Sequence, residues 1–66
     1  MKPKELDAVR LIVSLVDVGI QNGSVGIVVA LFDDPNEAYE VEFCDADGST
    51  IEQVLLRREQ FEVLGV

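Results

Sequence analysis

The chain has 66 residues, one cysteine and no histidine, which allows one small domain and provides neither an intrachain disulfide nor the usual zinc ligands. Its 5 basic and 13 acidic residues give a formal net charge of −8, and no lysine or arginine lies between Arg10 and Arg57, so the composition argues against binding to nucleic acids or anionic membranes. No apolar segment approaches the roughly 20 residues of a membrane helix and no signal peptide is evident, so we expect a soluble, cytoplasmic protein.

The first predicted element lies within residues 8–15, where two periodicities overlap. Apolar residues recur at helical spacing at Leu6, Val9, Val13 and Val16, and they alternate as in a strand at Val9, Leu11, Val13 and Leu15. The β-branched content favours a strand. The sequence predicts a loop over residues 16–24, with Val18 and Ile20 tucked beneath the sheet.

Three further strands are predicted as a β-meander over Val25–Phe32, Tyr39–Phe43 and Thr50–Leu56. The first has seven apolar residues in eight and is bounded by turn residues on both sides. The second alternates strictly between apolar and acidic residues, so its apolar face is predicted to be buried and its acidic face to be solvated. The dipeptide Asp47-Gly48 suits the turn between the second and third of these strands.

The C-terminal segment is predicted to hold a helical turn over Arg57–Gln60 and a closing strand from Phe61 to Leu64, with Phe61 and Val63 facing inward. Five short strands with one helical turn before the last indicate an all-β fold, a small five-stranded SH3-like barrel over residues 1–66, since closure removes exposed sheet edges. The alternative is an α+β domain in which an N-terminal helix over residues 5–16 packs on the β-meander.

A resemblance to known families rests on the glycines and on the third strand. Gly23-Ser-Val-Gly26-Ile-Val28 has the Gly-x-x-Gly-x-Val spacing of the turn in KOW-type SH3-like barrels. Over residues 4–64 the chain resembles DUF4926, a family of small bacterial proteins of unknown function, at Glu5-Leu-Asp7, Gly19, Gly23-x-Val-Gly26, Glu37-Ala-Tyr-Glu-Val-Glu-Phe43 and Asp47-Gly48. The resemblance implies a stand-alone SH3-like barrel with no known catalytic residues. The chain departs from the family pattern at the unusually apolar Ile12, Ile27 and Ala30.

The apolar residues of Val25–Phe32 exceed what one inner face of a small barrel can hold, because a strand in such a barrel should alternate. Two readings remain open: neighbouring loops cover the surplus, or the surplus forms a protein–protein interface. The interface reading assigns an outward apolar surface to Ile27, Val28, Ala30 and Phe32, with a homodimer as the simplest assembly. Acidic residues at Glu37, Glu40 and Glu42 form either a solvated face that aids solubility or a face for a basic partner.

Candidate sites for chemistry are weak. The stretch from Asp45 to Thr50 starts like a calcium loop, but the EF-hand positions for glycine and glutamate hold Thr50 and Leu56, so a hairpin turn is predicted instead. Cys44 has the acidic neighbours Glu42 and Asp45 rather than a cation or histidine that would activate it, so we expect a half-buried, unreactive thiol. We therefore expect no metal, no cofactor and no enzymatic activity.

These observations predict a non-enzymatic protein–protein interaction module that self-associates or binds a basic protein, as an inhibitor or antitoxin does. The alternative from a different class is a KOW-like module associated with nucleic acid. The lack of cations in the meander argues against that alternative.

Overall fold

The computed structural model describes residues 2–45 and 47–65, which form five antiparallel strands and two short 3-10 turns. The strands are β1 (Ala8–Leu11), β2 (Val25–Phe32), β3 (Ala38–Cys44), β4 (Thr50–Leu56) and β5 (Phe61–Val63). The 3-10 turns span Val16–Val18 and Arg58–Gln60. All strands belong to one sheet in the order β4-β3-β2-β1-β5.

The predicted all-β fold and its meander are confirmed. β2 and β4 have the predicted bounds, and β3 extends the predicted strand by one residue at each end. The 3-10 turn before β5 is also confirmed. The helix-first alternative is wrong, because residues 8–11 pair with both β2 and β5 and so bury their apolar residues as a strand.

The segment after β1 differs from its prediction. The strand ends at Leu11, and only one of the two residues expected beneath the sheet lies there: Ile20 is buried, whereas Val18 is 40% exposed. An isolated antiparallel bridge explains the difference, because two hydrogen bonds between the backbones of Leu15 and Ile20 fix Ile20 toward the core. Val18 lies within the intervening turn and stays at the surface.

Closure of the sheet into a barrel is not seen in the part of the chain that the structure describes. β4 and β5 end the sheet on opposite sides, and no hydrogen-bonded ladder joins them. β5 has three residues and its partner β1 has four, so neither offers much backbone for a further ladder. The SH3-like barrel therefore stays a prediction.

One face of the sheet carries the hydrophobic core. Its buried side chains are Val9, Leu11, Ile20, Val28, Tyr39, Val41, Phe43, Leu56 and Phe61. Residues that face each other across antiparallel strands lie on the same side, so the pairs Val28–Val41 and Tyr39–Leu56 join three strands within this core. The rings of Tyr39 and Phe61 meet edge to face at 5.4 Å between centroids.

A β-bulge in β2 decides which of its residues face outward. The register with β3 runs from the pair Val28–Val41 to the pair Ala30–Glu40, so Val29 is the extra residue. Val28 therefore points into the core with 0% exposure, and the expectation that it belongs to an outward surface is wrong. Beyond the bulge the phase changes, and Ala30 and Phe32 pair with residues of the opposite, outer face.

Candidate interaction surface

An outward-facing apolar surface, here called the outer strip, consists of Ile27, Ala30, Phe32, Ala38 and Leu55. Cross-strand pairing places these residues on the outer face in three rows, where a row is a set of residues that lie directly opposite each other on neighbouring strands. Phe32 pairs with Ala38, while Ala30 and Leu55 flank Glu40 on either side. Phe32 is 47% exposed and Leu55 is 57% exposed, so both large side chains present apolar surface to water.

A surface depression of about 370 Å³ lies at one end of the outer strip. Its lining residues are Phe32, Asp34, Pro35, Asn36, Ala38, Glu40 and Leu55. The turn between β2 and β3 supplies one wall and the strands supply the floor. The depression therefore combines apolar side chains with the carboxylates of Asp34 and Glu40.

The three predicted acidic residues do not share one environment. Glu40 and Glu42 alternate along β3 with core residues and lie half-buried on the outer face, next to the outer strip. Glu37 instead accepts a hydrogen bond from the hydroxyl of Tyr39, a core residue. The structure thus brings Ile27, Ala30 and Phe32 together with two of the three glutamates.

Sequence reasoning missed Leu55, the most exposed member of the outer strip. The alternation of β4 is poor because two leucines follow each other at its end: Leu56 is buried and Leu55 faces outward. In an extended strand, neighbouring side chains point to opposite faces, so two consecutive leucines indicate that one of them faces outward.

A second apolar surface that the sequence did not reveal lies on the first loop, here called the loop patch. Its exposed members are Ile12, Val13, Val16 and Val18. Beside them is a depression of about 420 Å³ lined by Ser14, Leu15, Val16, Asp17, Val18 and Val54. Only Asp17 among these lining residues is charged, so the loop patch differs in charge from the acid-lined outer strip.

The stretch with a calcium-like start forms the turn between β3 and β4. Carboxylate oxygens of Asp45 and Asp47 accept hydrogen bonds from the backbone N–H of Ser49 at 3.1 and 2.9 Å, and Gly48 adopts φ +89°. Hydrogen bonds lower the pKa of Asp47 below its ordinary value. The largest contribution comes from the side chain of Asp45 and the next from Ser49. Ala46 lies outside the described residues.

Cys44 ends β3 as an exposed free thiol, which corrects the expectation of a half-buried residue. Alternation along β3 points Cys44 away from the face on which its neighbour Phe43 is buried, although Cys44 still pairs with Thr50 after a register shift. Among residues 2–45 and 47–65, no three carboxylate or thiol groups cluster closely enough to hold a metal ion. In the same residues no helix has the length and apolar character needed to cross a bilayer.

Most of the basic side chains already contact groups of the chain itself. Lys2 lies 3.3 Å from Asp33, Arg57 lies 2.8 Å from Glu59, and Arg10 forms an ion pair with Glu62. Arg58 donates to the carbonyl of Phe61 and lies over its ring. These contacts reduce the cationic surface that a polyanion could use.

Comparisons with known proteins give one match. A family model described as a domain of unknown function (DUF4926) matches residues 5–63. Neither the search of curated proteins nor that of solved structures found a match.

Proposed function

The chain belongs to the DUF4926 family, whose description assigns no activity, and we propose that it is a non-enzymatic interaction module that binds a basic protein through the outer strip. One observation carries this proposal: Phe32 and Leu55 expose large apolar side chains beside the carboxylates of Asp34 and Glu40. Singly exposed apolar residues are common on protein surfaces, but a cluster with convergent charges is typical of a binding site.

The apolar residues supply the affinity in this proposal. Full burial of a leucine or phenylalanine side chain is worth roughly 1.5–3 kcal/mol. Phe32 and Leu55 are about half exposed, so burying the remainder against a partner contributes about 1 kcal/mol each. Aromatic and aliphatic anchors near the centre of an interface commonly carry most of its binding energy.

The acidic rim supplies the selectivity. A lysine or arginine beside the partner's apolar anchor would meet Asp34 or Glu40, whereas an acidic partner would be repelled. A second copy of this chain would bring the same carboxylates against each other, so the outer strip favours a foreign, basic protein over self-association. The net charge of −8 also speeds the encounter with a cationic partner.

Nucleic-acid binding is the weaker candidate because binding to phosphates depends on available cations. Of the five basic residues, Lys2, Arg10 and Arg57 are paired with carboxylates. Anisotropy titrations with a labelled RNA strand and a labelled DNA duplex are expected to show no salt-sensitive binding. Binding that weakens steeply with salt would favour the KOW-like alternative instead.

Affinity capture with matched variants tests the proposal. Wild-type chain, Leu55→Lys, Glu40→Lys and Leu6→Lys serve as baits, since Leu6 is also exposed but lies in the turn before β1, outside the outer strip. We expect a basic protein to be retained by the wild type and Leu6→Lys and to be lost from the two outer-strip variants. Calorimetry with the purified partner should show at least a tenfold weaker affinity for Leu55→Lys. Equal retention by all four baits, or an acidic partner, would contradict the proposal.

A further inference from the structure

β4 is an edge strand with one side of its backbone free. Among residues 2–45 and 47–65 it pairs with β3 alone, and it ends the sheet. Within the described residues, the backbone hydrogen bonds outside the strand ladders do not involve Thr50–Leu56. An edge strand of this kind presents unpaired N–H and C=O groups that can accept another strand.

The sequence of β4 does little to prevent such pairing. Natural edge strands are commonly protected by lysine, proline or a bulge. Thr50–Leu56 contains neither lysine nor proline, and Glu52 is its one charged residue. The register shift with β3 lies at the start of the strand, between the pairs Cys44–Thr50 and Phe43–Glu52, so Glu52–Leu56 remain in regular register.

Each face of this edge carries an apolar side chain near the end of the strand. Val54 and Leu55 are neighbours on opposite faces of β4, and each lines a different depression. Val54 borders the depression beside the loop patch, and Leu55 borders the depression of the outer strip. A strand added to β4 would therefore place alternate side chains beside these two depressions.

The charges at the two ends of β4 favour the β4 strand of a second copy of this chain as the added strand. Asp45 and Asp47 precede the strand, and Arg57 and Arg58 follow it. Antiparallel pairing of two β4 strands would bring the basic end of each copy beside the acidic turn of the other, whereas parallel pairing would bring like charges together. Arg57 is available for such a contact, because its side chain is 70% exposed and its ion pair with Glu59 is also at the surface.

We propose that a second copy of this chain pairs antiparallel with the free edge of β4, which joins two five-stranded sheets across a twofold axis. Such an interface is self-complementary, as a twofold axis requires. The axis is perpendicular to the sheet, so both outer strips remain on the same side and accessible. The pairing uses the backbone edge of β4, which adjoins the outer strip at Leu55, and it does not depend on the proposed basic partner.

Sedimentation velocity of the purified chain over a concentration series tests this proposal. We expect the mass to rise from 7.3 kDa toward twice that value. Arg57→Glu reverses a charge at both symmetric contacts and should raise the dimer dissociation constant about tenfold. Arg10→Glu is the matched control, because Arg10 is also exposed and paired with a glutamate but lies on β1.

A charge swap makes the test specific. Asp47→Lys alone should weaken the dimer, while an equimolar mixture of Asp47→Lys and Arg57→Glu should form a heterodimer with opposite charges at both contacts. Thermal melting of each variant checks that it is folded. Amide exchange in the dimer should slow at every second residue of β4, the pattern of a newly paired strand edge.

Several results would overturn the proposal. A wild-type chain that stays at 7.3 kDa at millimolar concentration has no such interface. A dimer that Arg57→Glu and Arg10→Glu affect equally, or a mixture that fails to restore association, would place the contact elsewhere. A wild-type chain that forms this dimer but binds no basic protein would contradict the proposed function of the outer strip and would leave the β4 dimer supported.

Discussion

Substitution of Gly26 by alanine tests the closest approach between β2 and β3. A Cβ at this position would lie 2.7 Å from Cγ1 of Val41, 2.8 Å from the carbonyl oxygen of Glu42 and 3.0 Å from Cδ1 of Phe43. Carbon atoms in contact normally lie about 3.5–4.0 Å apart. The backbone oxygen cannot move without disturbing the ladder, and Val41 and Phe43 are fully buried. The strands must therefore separate locally to admit one methyl group.

Overpacking of this kind costs about 1–3 kcal/mol, which is a large part of the roughly 5 kcal/mol expected for so small a domain. At 4–8 °C per kcal/mol, Gly26→Ala should lower the melting temperature by about 10 °C. Gly65→Ala is the control, because a Cβ there meets no atom within 4 Å. Thermal melts followed by circular dichroism measure both. Equal melting temperatures for Gly26→Ala and the wild type would refute the close packing of β2 on β3.

Four other predictions test separate features. Val28→Asp should unfold the chain, because it places an unpaired carboxylate in the core. Phe32→Asp should leave the melting temperature within a few degrees of the wild type, because Phe32 faces outward beyond the bulge. Equal effects of the two substitutions on the melting temperature would contradict the bulge between these residues. Gly48→Val forces a β-branched residue to φ +89° and should cost about 1–2 kcal/mol by chemical denaturation, so an unchanged midpoint would contradict the turn. Leu6→Gly should stabilise the chain by about 0.5–1 kcal/mol, because Leu6 has φ +76° and a side chain that is 75% exposed, and a lower melting temperature would contradict this reasoning. The pKa of Asp47 is lower in the folded chain than in the unfolded chain, where it is about 4, so its carboxylate stabilises the fold above pH 4. This stability is lost as the pH falls through the folded pKa. Asp47→Asn should therefore make the free energy of unfolding depend less steeply on pH in the acid range.

The sequence was sufficient where the signal is local. Residues 39–43 alternate strictly between core and acidic residues, so the faces of β3, and its bounds to within one residue at each end, followed from period-two patterning. The same reasoning failed for Val28, because a bulge depends on how two strands pair and leaves no mark in the apolar run of β2. The bridge between Leu15 and Ile20 is likewise a pairing feature, and it leaves Val16 and Val18 exposed on a loop where hydropathy alone predicts burial.

The bulge at Val29 also explains how so short a chain carries both a core and an apolar outer surface. With strict alternation, Val28, Ala30 and Phe32 would share one face, and that face would be either core or surface. The extra residue lets the first half of β2 contribute Val28 to the core and the second half contribute Phe32 to the outer strip. An exposed phenylalanine gives up part of the folding energy available to a small domain. The chain can retain that residue if a partner buries it, and the carboxylate of Glu40 beside it then favours a basic one.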